Sequence, residues 1–139
     1  MSINRPTLSI HSEIEHLIKY FAYLNDQKQY NELINLFTDD ATYARPSEPN
    51  DLIVGHADII NSFNNRPQKI TQHIVGNIFL DQQADDLILA QSEIILFSGN
   101  DAKLLEMFVV GGFKDKIVYQ NHQWRFQERR GFVNFIKKF

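Results

Sequence analysis

A chain of 139 residues is the length of one domain, enough to bury about two thirds of the surface that its unfolded form exposes. Charged residues make up 22% and the formal net charge is −3, so no broad basic face is expected to neutralise phosphates and nucleic acid is not an expected partner. With no cysteine there is no disulfide framework, thiol nucleophile or iron–sulfur site, and no apolar run reaches the roughly 20 residues that cross a bilayer, so no membrane partner is expected either.

Residues 1–11 hold no apolar run and read as a loose arm, neither signal peptide nor anchor, which makes the cytoplasm the expected location. Ser12 can cap a helix, with Glu13 and Glu15 in its first turn to complement the positive helix end. Ile14, Leu17, Ile18 and Phe21 then follow the i, i+3, i+4, i+7 spacing of one buried face. The pattern ends near Asn25-Asp26, and Asp26 lies one turn beyond Ala22, close to that apolar face. Tyr30, Leu33, Ile34 and Phe37 repeat the spacing in a second, short helix, which Thr38-Asp39-Asp40 stops before a short strand at 41–44. Pro46, Pro49, Asn50 and Asp51 mark a loop. Gly55 opens a third helix that buries Ile59, Ile60 and Phe63, and Asn64-Asn65-Arg66-Pro67 ends it, because the residue before a proline disfavours helix. Arg66 there could reach an anionic ligand or a partner, and the favoured reading is a solvated helix end.

From residue 70 the pattern changes. Residues 70–80, 87–97, 104–113 and 117–130 are rich in β-branched and aromatic side chains, with turn signals at 81–86, 98–101 and 120–122. Gly76, Gly111 and Gly112 inside these runs point to bulges that let a sheet curl. The whole therefore reads as α+β, a single domain over 1–139: three N-terminal helices packed on a strongly curved antiparallel sheet, a cone with a cavity.

The strand at 70–80 spends a mid-strand position on His73, and the period of two puts Thr71, His73, Val75, Asn77 and Phe79 on one face. Polar neighbours on both sides look more like a wet pocket wall than a dry core, although a core histidine satisfied by a carbonyl is the alternative. Imidazole titrates near neutrality and can take and return a proton. Other chemistries lack their motifs. His11 and His16 are five apart, with no His-x-x-x-His, so no metal site is expected. There is no glycine-rich phosphate loop and no Gly-x-Ser-x-Gly elbow.

The ordered set resembles the SnoaL-like branch of the NTF2-like, cystatin-like superfamily. It runs from a helix ending in Asp through Leu33-Ile34-Asn35-Leu36-Phe37-Thr38-Asp39-Asp40-Ala41, Gly55, Thr71-Gln72-His73 and Gly112-Phe113-Lys114-Asp115 to Trp124-Arg125-Phe126-Gln127-Glu128-Arg129. That superfamily holds scytalone dehydratase, ketosteroid isomerases, polyketide cyclases, epoxide hydrolases and the assembly-serving small subunits of ring-hydroxylating dioxygenases. The resemblance to scytalone dehydratase implies Asp26 and His73 as a catalytic pair, with Asp26 orienting the ring or holding a water. It departs at two places: the second pocket histidine falls near Phe97, and the tyrosine beside the Asp is Asn25. Tyr20, Tyr23 or Tyr43 could substitute. The expected pocket wall comprises Tyr43, Tyr23, Asn77, Phe63, Phe97 and Phe108, with Arg129 bracing the sheet against Asp115.

These readings imply a cofactor-independent acid–base enzyme, a dehydratase, isomerase or cyclase acting on a small apolar or cyclic molecule. The alternative is a non-catalytic ligand-binding or assembly domain like a dioxygenase small subunit. Residues 87–97 and 104–113 are apolar at both parities, so the sheet needs a cover on each face. Helices supply one, and a second copy of the chain, a homodimer through the sheet, is expected to supply the other.

Overall fold

In the computed structural model, which describes residues 3–139, the first helix, α1 (Leu8–Asp26), starts before Ser12, with Thr7 as the cap whose side chain accepts from the Ile10 amide at 3.3 Å. Its face of Ile14, Leu17, Ile18 and Phe21 is buried as the spacing requires. The second helix is shorter than its apolar spacing suggests. After α2 (Tyr30–Leu33) the chain tightens into a 3-10 turn (Ile34–Leu36), and Phe37 is already extended, the first residue of strand β1 (Phe37–Ala44). Phe37 gains more as an inward strand residue facing Phe126 than as a fourth helical contact, and it is fully buried there. A two-residue strand, β2 (Ile53–Val54), precedes α3 (His56–Asn64), which Gly55 opens at φ +85, a conformation that glycine adopts without strain.

Four long strands follow: β3 (Ile70–Ala84), β4 (Leu87–Gly99), β5 (Met107–Gln120) and β6 (Gln123–Lys138). The sheet order is β2-β1-β6-β5-β4-β3. Consecutive long strands pair antiparallel, but β1 lies parallel to β6, so the sheet is mixed. The β1–β6 pairing joins segments some 85 residues apart, which no local pattern announces. Strand β5 runs straight through Lys114-Asp115-Lys116, where the sequence suggested a break. The inward charge of Asp115 is matched by its cross-strand partner Arg129, so the strand need not end. The hairpin to β6 is closed by Asn121 and His122, both at positive φ, the geometry of a two-residue turn that matches strand twist.

Register shifts interrupt the pairing of the long strands at four places. Register slips between Val110 and Gly111, where a Cβ on Gly111 would collide with the Phe132 carbonyl. It slips again on β3 between Gly76 and Phe79, with Asn77 at φ +46. Of the N-terminal arm, Met1 and Ser2 lie outside the described residues, and the rest is tied to the domain. Residues 8–11 are helical, the Asn4 amide donates to Asp81 Oδ1 at 3.0 Å, and its carbonyl accepts from the Gln82 amide at 2.8 Å.

The core lies between the helices and the concave side of the sheet. Phe21 packs edge-on against Phe37, Phe63, Phe113 and Phe126 at 5.9–6.1 Å between centroids. Inside this cage sits the Arg129–Asp115 pair, Nη1 to Oδ2 at 3.1 Å. The guanidinium carbon stands 3.8 Å from the Phe113 ring centroid and 4.4 Å from those of Phe21 and Phe126. Burial pushes the Asp115 carboxyl up to about 7, against the pull of the Arg129 charge, and lowers the guanidinium. Among the described residues, no helix is long and apolar enough to cross a membrane.

Candidate active site

Asp26 is the last residue of α1, and His73 is the fourth residue of β3, at the margin of the sheet. The helix ends against the strand, and the carboxylate gathers three donors from it. Oδ1 lies 2.6 Å from His73 Nδ1 and accepts from Thr71 Oγ1 at 2.9 Å. Oδ2 accepts from the His73 backbone amide at 2.8 Å. Both side chains are largely buried, 9% exposed for His73 and 13% for Asp26. A carboxylate is acceptor-only, so Nδ1 carries the proton and donates, which leaves the lone pair on Nε2. Nε2 bonds to no described residue.

His73 lines the interior of the cone, an open cavity of about 440 Å³, and Asp26 stands behind it. On the far side of the pair lies a second, open cleft of about 550 Å³ between α1 and β3, which Asp26, Tyr23 and Lys19 line. His73 also borders this outer cleft, beside Ala22, Ile74 and Val75, while the cone sets it against a broader apolar wall. That wall is Ile94, Leu96, Val109, Phe113, Val133 and Ile136, drawn from β4, β5 and β6. The mouth carries Arg45, Arg66, Lys69 and Lys138.

The structure brings together some of the expected residues and separates others. Asp26 and His73 touch, and Tyr43 lines the same cavity, its hydroxyl accepting from Arg66 Nη2 at 3.3 Å. Tyr23 instead sits on the outer surface, 59% exposed, stacked on Tyr20 at 6.3 Å, because its place on α1 turns it away from the cone. Asn77 is also outside. The bulge at 76–79 shifts the alternation by one, so Ile78 and Leu80 take the inward positions, Phe79 is 62% exposed, and Asn77 Nδ2 donates to Glu93 Oε2 at 2.9 Å. Phe97 and Phe108 face each other across β4 and β5 on the convex side, at 6.5 Å, because the inward residues there are Leu96 and Val109. Leu96 is paired directly with His73, so an aliphatic group occupies the inward place beside it. Phe63 belongs to the core rather than the cavity wall, with Arg66 lying over its ring at 4.1 Å. Arg66 stands two residues beyond Asn64, the last residue of α3, and its amide donates to the Phe63 carbonyl at 3.3 Å. His56 is half-buried, with Nε2 2.9 Å from the Phe37 carbonyl. Among the described residues, no three His, Cys, Asp or Glu side chains converge to hold a metal ion.

Three helices on a curved six-strand sheet, open at one end, make this an α+β cone protein of cystatin-like form. The chain belongs to the SnoaL-like domain family, whose model matches residues 6–130. No curated protein matches it by sequence. Among solved structures it is similar to a putative scytalone dehydratase from Novosphingobium aromaticivorans, at 19% identity and a TM-score of 0.81, covering 95% of this chain and 89% of that one. A type 2 hexachlorocyclohexane dehydrochlorinase (LinA) superposes at a TM-score of 0.84 with 17% identity, over 95% of this chain and 90% of that one. ActVI-ORFA from Streptomyces coelicolor follows at 0.77 and 17%, over 91% of this chain and 98% of that one. Likeness at these identities is likeness of fold.

Proposed function

We propose that the chain is a cofactor-independent acid–base enzyme of dehydratase, isomerase or cyclase type, with His73 as the proton carrier and Asp26 as its positioning residue. The observation that carries this is the 2.6 Å contact from Nδ1 to Asp26, which leaves Nε2 as the basic nitrogen of a side chain that lines the cone. Nε2 takes a proton from a substrate carbon, and the electron pair of that C–H bond becomes the new double bond. The imidazolium that forms is stabilised by Asp26, then returns its proton to a departing hydroxide as water or to another carbon. A base so placed contributes about 10²–10⁴-fold, and apolar walls strengthen the charge interactions that develop. Two of the similar structures are named for eliminations, a dehydratase and a dehydrochlorinase, which supports this reaction class.

The test needs no knowledge of the true product. Small cyclic carbonyl compounds are incubated with the protein in D₂O, and deuterium entering at the acidic carbon is followed by mass spectrometry. His73→Ala is expected to slow exchange by about 10²–10⁴-fold while circular dichroism and melting stay near those of the parent. Exchange that is no faster with the parent than with His73→Ala would retire the reading in favour of a ligand-binding or assembly domain.

We also propose a homodimer through the convex face. Ile74, Ile95, Val110 and Phe135 are cross-strand partners in one apolar row there, flanked by Phe97 and Phe108. Light scattering at micromolar concentration is expected to give twice the chain mass, and Phe135→Glu to give the single-chain mass.

A further inference from the structure

The cone's mouth runs against the charge of the molecule. The chain has 17 acidic and 14 basic residues, yet four cations line this cavity and no Asp or Glu does. Among the described residues, none of Arg45, Arg66, Lys69 and Lys138 makes a salt bridge. Arg66 is the most constrained of them. Its guanidinium lies flat on Phe63 at 4.1 Å, and its two terminal nitrogens make long contacts to neutral acceptors, Asn25 Oδ1 at 3.4 Å and Tyr43 Oη at 3.3 Å. Its Nε is buried with no partner. Buried charges are normally paired, and a guanidinium held against an aromatic ring keeps its planar fork aimed at little entropic cost.

We infer that the ligand of this cavity is an ionised carboxylic acid with an apolar body, its carboxylate held at Arg66. The inference rests on the proposal that this cavity is the substrate site, and it narrows the substrate from a small apolar molecule to an apolar acid. A carboxylate would replace long bonds to neutral oxygens by shorter charge-assisted ones. Tyr43, which accepts from Arg66, keeps its own hydroxyl proton to donate to the same anion. A phosphate group is the poorer fit, because no glycine-rich loop lines the cavity. The aliphatic wall receives the body of the acid, within reach of the surface that His73 lines.

Isothermal titration with 2-naphthoate and its uncharged counterpart 2-naphthamide, at low ionic strength, tests this. The parent is expected to bind the acid at least about tenfold tighter than the amide, a step of about 1.4 kcal/mol. Arg66→Gln should bring the two to near parity by weakening the acid alone. Lys138→Glu, at an exposed residue whose exchange cannot unfold the chain, should weaken the acid about threefold at low salt and leave the amide unchanged. The inference is overturned if the amide binds as well as the acid, if a folded Arg66→Gln keeps the preference, or if the acid fails to bind at millimolar concentration. Should Arg66→Gln unfold, an unchanged acid-to-amide ratio in Lys138→Glu overturns it as well. The titration does not read proton transfer. Acid binding without deuterium exchange in any probe would uphold the anion site and retire the enzyme, while exchange confined to uncharged probes would overturn the anion site and leave the enzyme standing.

Discussion

Asp26 and Asp115 each hold a basic side chain, in opposite surroundings. Asp115 meets Arg129 inside a cage of three phenylalanine rings, both partners out of reach of solvent, and one of its oxygens has no donor at all. Asp26 meets His73 where a helix ends on a strand, and its two oxygens collect three donors. The first pair is under-satisfied and sealed; the second is saturated on one side and open on the other. A charge pair that braces needs only a partner. The proposed proton carrier needs a partner behind it and room in front, and His73 borders an open cavity.

Breaking the sealed pair should have the largest effect. Arg129→Met strands a buried carboxylate among phenylalanines and is expected to lower unfolding free energy by about 3–5 kcal/mol in urea melts, while molecules still folded exchange deuterium at the parent rate. Asp26→Asn should invert that outcome. It removes a charged acceptor from three donors, at about 1–3 kcal/mol in the same melts, but slows deuterium exchange steeply because the amide no longer selects the Nδ1 tautomer. A slow-exchanging Arg129→Met, or a fully active Asp26→Asn, would erase the distinction between the two pairs.

The sealed pair also predicts a slope with pH. The folded pKa of Asp115, about 7, stands above its ordinary value of 3.8, so the folded chain holds a proton that the unfolded chain has lost between those limits. This contribution is full below about pH 4 and declines as pH rises to about 7. Unfolding free energy of the parent, measured relative to Asp115→Asn, should therefore fall over that window; a flat difference would mean that Arg129 keeps Asp115 ionised throughout.

How much of this could be read in the residues follows from how local each signal is. The strand period brought out His73 and the helical face placed Asp26 at the end of α1, because both patterns complete themselves within a dozen residues; the role of Asp26 came from the family resemblance. Asn77 was misplaced by a single residue at positive φ, which reverses every later side chain on the strand and leaves no mark in polarity. Phe97 and Phe108 were misplaced because runs that are apolar at both parities do not fix which face is which; the pairing of His73 with Leu96 does. For Arg66 beside Pro67 the sequence leaves an anionic ligand and a solvated end both open and favours the second, since the cavity it lines is assembled from strands far along the chain. The parallel β1–β6 pair was hidden for the same reason.

The bond from Asp26 Oδ2 to the His73 backbone amide carries one more consequence. Strand β3 pairs only with β4, so its outer row of amides and carbonyls is a ready template on which another chain could add a strand. Asp26 plugs one of those donors, and the Asn4 carbonyl plugs another, the Gln82 amide, further along. The carboxylate that holds the histidine thus also guards the sheet against self-templated growth, and a chain that loses it exposes a sticky margin at the place where His73 loses its partner.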